Sequence, residues 1–139
     1  MTKKELSKYY YLSLEIKDLE DRIESINETT IGSSKITGMP IAHSNESPIE
    51  KKVELLIRLK DKLEKRKIQA LEEMEKIEKY ISTINDIETR IIFNKRYLDF
   101  KSWDDISEEM YMSVRSVYRK HSNWLRKEEK GTICNEKGQ

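Results

Sequence analysis

The sequence predicts an all-α protein. Apolar residues recur at spacings of 3 and 4 over most of the chain, capping serines stand in front of several of these runs, and 139 residues hold only 4 glycines and 2 prolines. The expected architecture is a long N-terminal helical hairpin of coiled-coil type over 1–84, with a flexible loop at 28–46. A helix-turn-helix domain follows over 85–127, and a disordered polar tail over 128–139.

Residues 4–27 read as the first helix. Tyr9, Leu12, Ile16, Leu19, Ile23 and Ile26 are spaced 3, 4, 3, 4, 3, the seam of a coiled coil, and charged residues such as Glu15, Lys17 and Asp18 fill other positions. One apolar stripe cannot hold a helix of this length in water, so the seam calls for a partner helix. Residues 28–46 have no sustained period and carry Gly32, Gly38 and Pro40, which predicts a loop longer than most helix connections.

Ser47-Pro48-Ile49-Glu50 then supplies a cap, a proline at the first helical position and a glutamate reaching back. Ile49, Val53, Leu56, Leu63, Ala70, Met74, Ile77, Ile81 and Ile84 fall on one heptad register, interrupted by Lys60 and Lys67, whose stems can cover apolar surface. Nothing breaks this helix before Ser82, giving about 50 Å against about 36 Å for the first. The second therefore overhangs, and Met74, Ile77 and Ile81 are expected to meet the C-terminal domain or a second chain.

A third helix is expected over 85–98, with Ile84, Ile87, Ile91 and Leu98 facing one layer and Phe93 and Tyr97 another. Trp103, Ile106 and Met110 then recur behind Ser102, and Val114, Val117, His121 and Leu125 recur behind Ser113. Only Tyr111 and Met112 separate the first pattern from the second cap. Two short helices joined by a tight turn form a helix-turn-helix unit, whose second helix commonly lies in a DNA major groove.

Charge points the same way, but only locally. The net charge is +1, so bulk basicity announces no nucleic-acid binder. Yet 113–127 holds five cations (Arg115, Arg119, Lys120, Arg126, Lys127) and no acid, although the chain has 26 acids in 139 residues. At 100° per residue these cations, with Ser116 and Asn123, fall opposite the Val114/Val117/His121/Leu125 stripe. Arginine can pair bidentately with guanine and lysine can neutralise phosphate. The site expected is therefore Arg115, Ser116, Arg119 and Asn123 on base edges, with Lys120, Arg126 and Lys127 on phosphates. Ser113 caps the reading helix. Lys101 and the amides after Ser102 would anchor a backbone phosphate.

Other conspicuous residues have plainer readings. His121 lies within the apolar stripe and reads as a packed core histidine; His43 is alone in the loop. Trp103 and Trp124 read as packing residues, and Tyr10 and Tyr11 as partly exposed surface. Asp104 and Asp105 suit the positive end of a helix dipole but have no accompanying base or metal partner. The single Cys134 allows neither an internal disulfide nor a cysteine zinc site. No phosphate loop, nucleophile elbow or metal-binding histidine pair occurs, so no enzyme, cofactor or metal is expected. No apolar run nears the ~18 residues of a membrane span and MTKKELSKYY is no signal peptide, so a cytoplasmic protein is expected.

Three strings sharpen this reading: Asn94-Lys95-Arg96-Tyr97, Ser102-Trp103-Asp104-Asp105-Ile106 and Ser113-Val114-Arg115-Ser116-Val117-Tyr118-Arg119-Lys120-His121. Over about 85–125 the chain resembles the sigma-70 region 4-like helix-turn-helix of small phage and prophage transcriptional regulators of the ArpU/RinA type. The resemblance implies promoter binding at phage late or packaging genes, with double-stranded DNA as partner and RNA polymerase as a second one. By position it puts Arg115, Ser116 and Arg119 in the groove. A homodimer is expected from the overhanging seam and from the gain of two-fold DNA binding. Two alternatives stay open: a coiled-coil structural or interaction protein, and a phage terminase small subunit, in which the helix-turn-helix is expected first and not last.

Overall fold

The computed structural model describes residues 1–32 and 47–137. It is all-α, with no strand among the described residues: α1 (Lys3–Gly32), α2 (Pro48–Ser82), α3 (Ile87–Phe93), a π-helical segment (Asn94–Leu98), α4 (Trp103–Met110) and α5 (Val114–Lys137). None of these helices is long and apolar enough to cross a membrane.

The helix starts follow from local chemistry. Thr2 and Glu5 cap α1 reciprocally: the Thr2 amide donates to Glu5 Oε2 at 2.7 Å and the Glu5 amide to Thr2 Oγ1 at 3.2 Å. Ser47 Oγ accepts the Glu50 amide at 3.1 Å, and Asp86 accepts both the amide and the hydroxyl of Thr89. Ser102 and Ser113 cap α4 and α5 by accepting the Asp105 and Ser116 amides at 3.2 and 3.1 Å.

Two ends differ from expectation. α1 does not stop at 27 but continues to Gly32, because no glycine or proline intervenes; within this extension the Thr29 hydroxyl donates to the Ser25 and Ile26 carbonyls. The remainder of the expected loop, 33–46, lies outside the described residues. The expected tail at 128–139 is helical as far as Lys137, since no proline ends α5 and a lone glycine costs a helix only about 1 kcal/mol. Its first residue is tied down, with Glu128 accepting from the Tyr80 hydroxyl. Residues 138–139 lie outside the described residues.

By contacts the chain divides into two units, Leu12–Ala70 and the chain from Leu71 onward joined by Met1–Tyr11. In the Leu12–Ala70 unit, Leu19 and Ala70 are buried, while Leu56, Leu59 and Leu63 are half-buried. Arg66 Nε donates to Glu15 Oε1 at 2.8 Å, and Lys67 pairs with Glu20 at 3.5 Å. The inward register of α2 is thus Leu56, Leu59, Leu63, Arg66 and Ala70. Lys60 and Lys67, expected in the seam, are exposed, as are Ile49 and Val53.

The other unit holds the main core: Leu6, Ile77, Tyr80, Ile81, Ile84, Phe93 and Tyr97. Each fully buried aliphatic or phenylalanine side chain here contributes about 1.5–3 kcal/mol. Ile77 and Ile81 therefore meet Leu6 and the helices after Ile84, not a second chain, and the division by contacts falls within α2 at 70/71. A second cluster, Ile92, Ile106 and Val117 with Trp103, Met110 and Met112 around it, fastens α3, α4 and α5. α3 buries Thr89, Ile92 and Phe93, whereas Ile87 and Ile91 are exposed, so α3 does not sit between two layers as expected.

The chain leaves α3 through the π-helical segment, where the Asp99 amide reaches the Asn94 carbonyl at 3.1 Å. Phe100 follows with φ 57°, and the Lys101 amide closes onto the Lys95 carbonyl at 2.9 Å. Glycine is the usual residue in this left-handed closing position. Phenylalanine holds it here with its ring packed tilted against Tyr9 and edge-on to Tyr10, with centroids at 5.0 and 5.3 Å.

Candidate nucleic-acid interface

α4 ends at Tyr111, in the left-handed conformation (φ 53°), and Tyr111-Met112-Ser113 turns the chain into α5. Ser113 sets the start of α5, and the buried side of that helix sets its rotation. Val117 and His121 are fully buried, and Trp124 and Leu125 pack against the larger core, whereas Val114, expected at the head of the stripe, is exposed in the first turn. Trp124 Nε1 donates to the Tyr80 hydroxyl at 3.2 Å, so both tryptophans and His121 serve packing, as expected.

With that side fixed inward, Arg115, Arg119, Asn123, Arg126 and Lys127 are exposed and Ser116 is half-buried. Arg115, Arg119, Asn123 and Arg126 converge with Tyr118 and Ser122 on a groove of 390 Å³. None of Arg115, Arg119, Arg126 and Lys127 makes an ion pair among the described residues. The groove wall presents guanidinium donors, an amide and two hydroxyls.

The remaining expected site residues are placed differently. Lys120 turns toward α3, where its ammonium pairs with Glu88 and lies 3.5 Å from Asp86. The Glu88 contact, with Asp86 behind it, holds its pKa above the usual lysine value. Lys101 is likewise drawn to Glu109, which also binds Lys95; the bond to Glu109 raises the Lys101 pKa, and the two lysines lower that of Glu109. Ser102 and Ser113 spend their hydroxyls on caps, and Ser113 Oγ also donates to Ser116 Oγ at 2.8 Å. Lys127 and Asn123 border a neighbouring hollow with Lys120, Asp86 and Trp124. Tyr118 and Ser122 were missed in the sequence. Their signal was spacing: Ser122 lies seven residues after Arg115, and Tyr118 lies three after it, at the edge of the apolar stripe.

Behind the groove the support is aromatic. His121 sits among Phe93, Tyr97 and Trp103, with ring centroids 5.0, 5.6 and 4.8 Å away. Burial pushes its pKa down to about 4, helped by the positive fields of Lys3 and Arg96. An uncharged ring therefore backs the cationic face at neutral pH. The Arg96 guanidinium lies 4.6 Å over the Trp103 ring and donates to the Lys101 carbonyl at 3.0 Å.

Comparison with protein-family models, curated proteins and solved structures gave no match.

Proposed function

We propose that the chain is a sequence-specific double-stranded DNA-binding regulator, with α4 and α5 acting as a helix-turn-helix and α5 as the helix that enters the major groove. The single observation that carries this reading is the groove face of α5. Arg115, Arg119 and Arg126 stand there exposed and without ion pairs among the described residues, beside Asn123, on a helix whose rotation is set by buried Val117 and His121 on the other side. Arg115, Arg119 and Asn123 are assigned to base edges, with Ser116 at the helix start, and Arg126 and Lys127 to phosphates. Lys120 and Lys101 contribute to phosphate binding only by exchanging their carboxylate partners for DNA.

The rest of the chain fits an accessory role. The pairs Glu15–Arg66 and Glu20–Lys67 support side-by-side packing of α1 and α2 as a helical hairpin. Ile49, Val53, Ile57 and Ile68 are exposed within about 100° of rotation on α2 and offer a second copy an apolar strip. The protein is thereby read as a homodimeric, non-enzymatic phage or prophage regulator that works beside RNA polymerase in the cytoplasm. Selection by the full chain from a random-sequence duplex library tests the reading. Enrichment of one motif supports it. A chain that enriches nothing, yet associates through α2 in sedimentation, favours a coiled-coil interaction protein.

A further inference from the structure

We infer that Tyr118 is a base-reading residue, its ring forming the apolar contact for the 5-methyl group of one thymine in the major groove. This rests on the DNA-binding reading above and names something which that face would discriminate. The other groove residues, Arg115, Arg119, Ser122, Asn123 and Arg126, offer charge, N–H or O–H groups. Such groups can pair with the heteroatoms of guanine or adenine, but they give a methyl group no apolar partner. Among the described residues, Tyr118 is the only aromatic one in that wall.

Its exposure and its support both suit the task. Val117 and His121, on either side of it along the buried stripe, are covered, whereas Tyr118 keeps 45% of its surface open. The rest of the ring is held. Trp103 meets it edge-on at 5.3 Å and 79°, and His121 lies tilted beneath it at 6.0 Å. Trp103 is itself covered by the Arg96 guanidinium at 4.6 Å. A ring already fixed in place loses little freedom on contact, so even one methyl group can register as a preference.

The test starts from the motif selected by the full-length chain. Each thymine in it is replaced singly by deoxyuracil, which removes the methyl group and leaves the hydrogen-bonding edge unchanged. At one position the wild type should lose about three- to fivefold in affinity, the worth of one buried methyl. Tyr118→Phe should lose the same factor there, because the ring remains. Tyr118→Gln should bind the thymine and uracil duplexes equally. In the wild type, 5-iodouracil at that position should photo-crosslink to Tyr118. Indifference of the wild type to every replacement, discrimination retained by Tyr118→Gln, or crosslinking to another residue overturns the inference while leaving DNA binding intact. Failure of the wild type to select any motif removes the DNA-binding reading and this inference with it.

Discussion

The Tyr97 hydroxyl is hydrogen-bonded to Nε2 of His121, and both side chains are buried. This contact joins the π-helical segment to the inner side of α5. Nδ1 of the same imidazole has no hydrogen-bond partner among the described residues. Burial holds both groups in their neutral forms, pushing Tyr97 up to about 12 and His121 down to about 4. The helix that carries the cations is thus anchored on a histidine that resists protonation.

That anchor predicts a pH dependence of stability. The folded pKa of His121 lies below the unfolded value of about 6.5, so the unfolded chain takes up the proton first. Stability should be complete above about pH 6.5 and fall as pH drops toward 4, by on the order of 2–3 kcal/mol. Glu5, Glu73, Asp86 and Glu109, whose pKa values are lowered, start to lose their own stabilising effect at about pH 5, where the carboxylates of the unfolded chain begin to protonate. Urea midpoints between about pH 5 and 7 should therefore slope for the wild type and flatten in His121→Phe, even though that variant loses the Tyr97 bond. Parallel slopes would count against the assignment.

Phe100 predicts a balance with a definite sign. Phe100→Gly relieves a left-handed backbone worth about 1–2 kcal/mol. It also removes a half-buried ring and two aromatic contacts, and it frees the unfolded chain, together about 2–4 kcal/mol. The glycine variant should be less stable by about 1–2 kcal/mol in thermal or urea unfolding. Equal or greater stability would show that the contacts with Tyr9 and Tyr10 matter little.

Lys120 and Lys127 should separate in salt titrations of DNA binding. Lys127→Ala should lower the dependence of log K on log salt by about one unit, as expected for one lost phosphate contact. Lys120→Ala should change it less, because its ammonium is already held by Glu88 and Asp86. Equal changes in the two variants would place Lys120 on the phosphate backbone after all.

Much of the fold was legible because the caps are local. Ser47, Ser102 and Ser113 each mark a helix start within one turn, and the stripe of α5 fixes which side turns inward. The register of α2 was not legible. Leu56, Leu63, Ala70 and Ile77 belong to two overlapping heptads, one completed by Val53, Lys60, Lys67 and Met74, the other by Lys52, Leu59, Arg66 and Glu73. Apolar periodicity favours neither strongly, and the second prevails where polar residues find partners. Arg66 reaches Glu15, and buried Glu73 receives Lys8 and Lys76 at 3.1 Å each. Burial raises the Glu73 pKa and these lysines more than reverse it, so the carboxylate stays charged.

At the candidate site, residue type was legible and availability was not. Lys101 and Lys120 look like free cations in sequence, but each meets a carboxylate from a different element, Glu109 of α4 and Glu88 of α3. Tyr118 was hidden for a related reason: its exposed edge depends on Trp103 covering the other side.

The most direct test of the central claim is the affinity of Arg115→Ala and Arg119→Ala for a selected duplex at fixed salt, with circular dichroism on the same samples. Each variant should keep its helical signal and lose about 1–3 kcal/mol of specific binding. Both arginines are exposed and make no ion pair among the described residues, so their removal should leave the fold unchanged. Wild-type affinity in both variants would contradict the assignment of α5 as the helix that reads DNA.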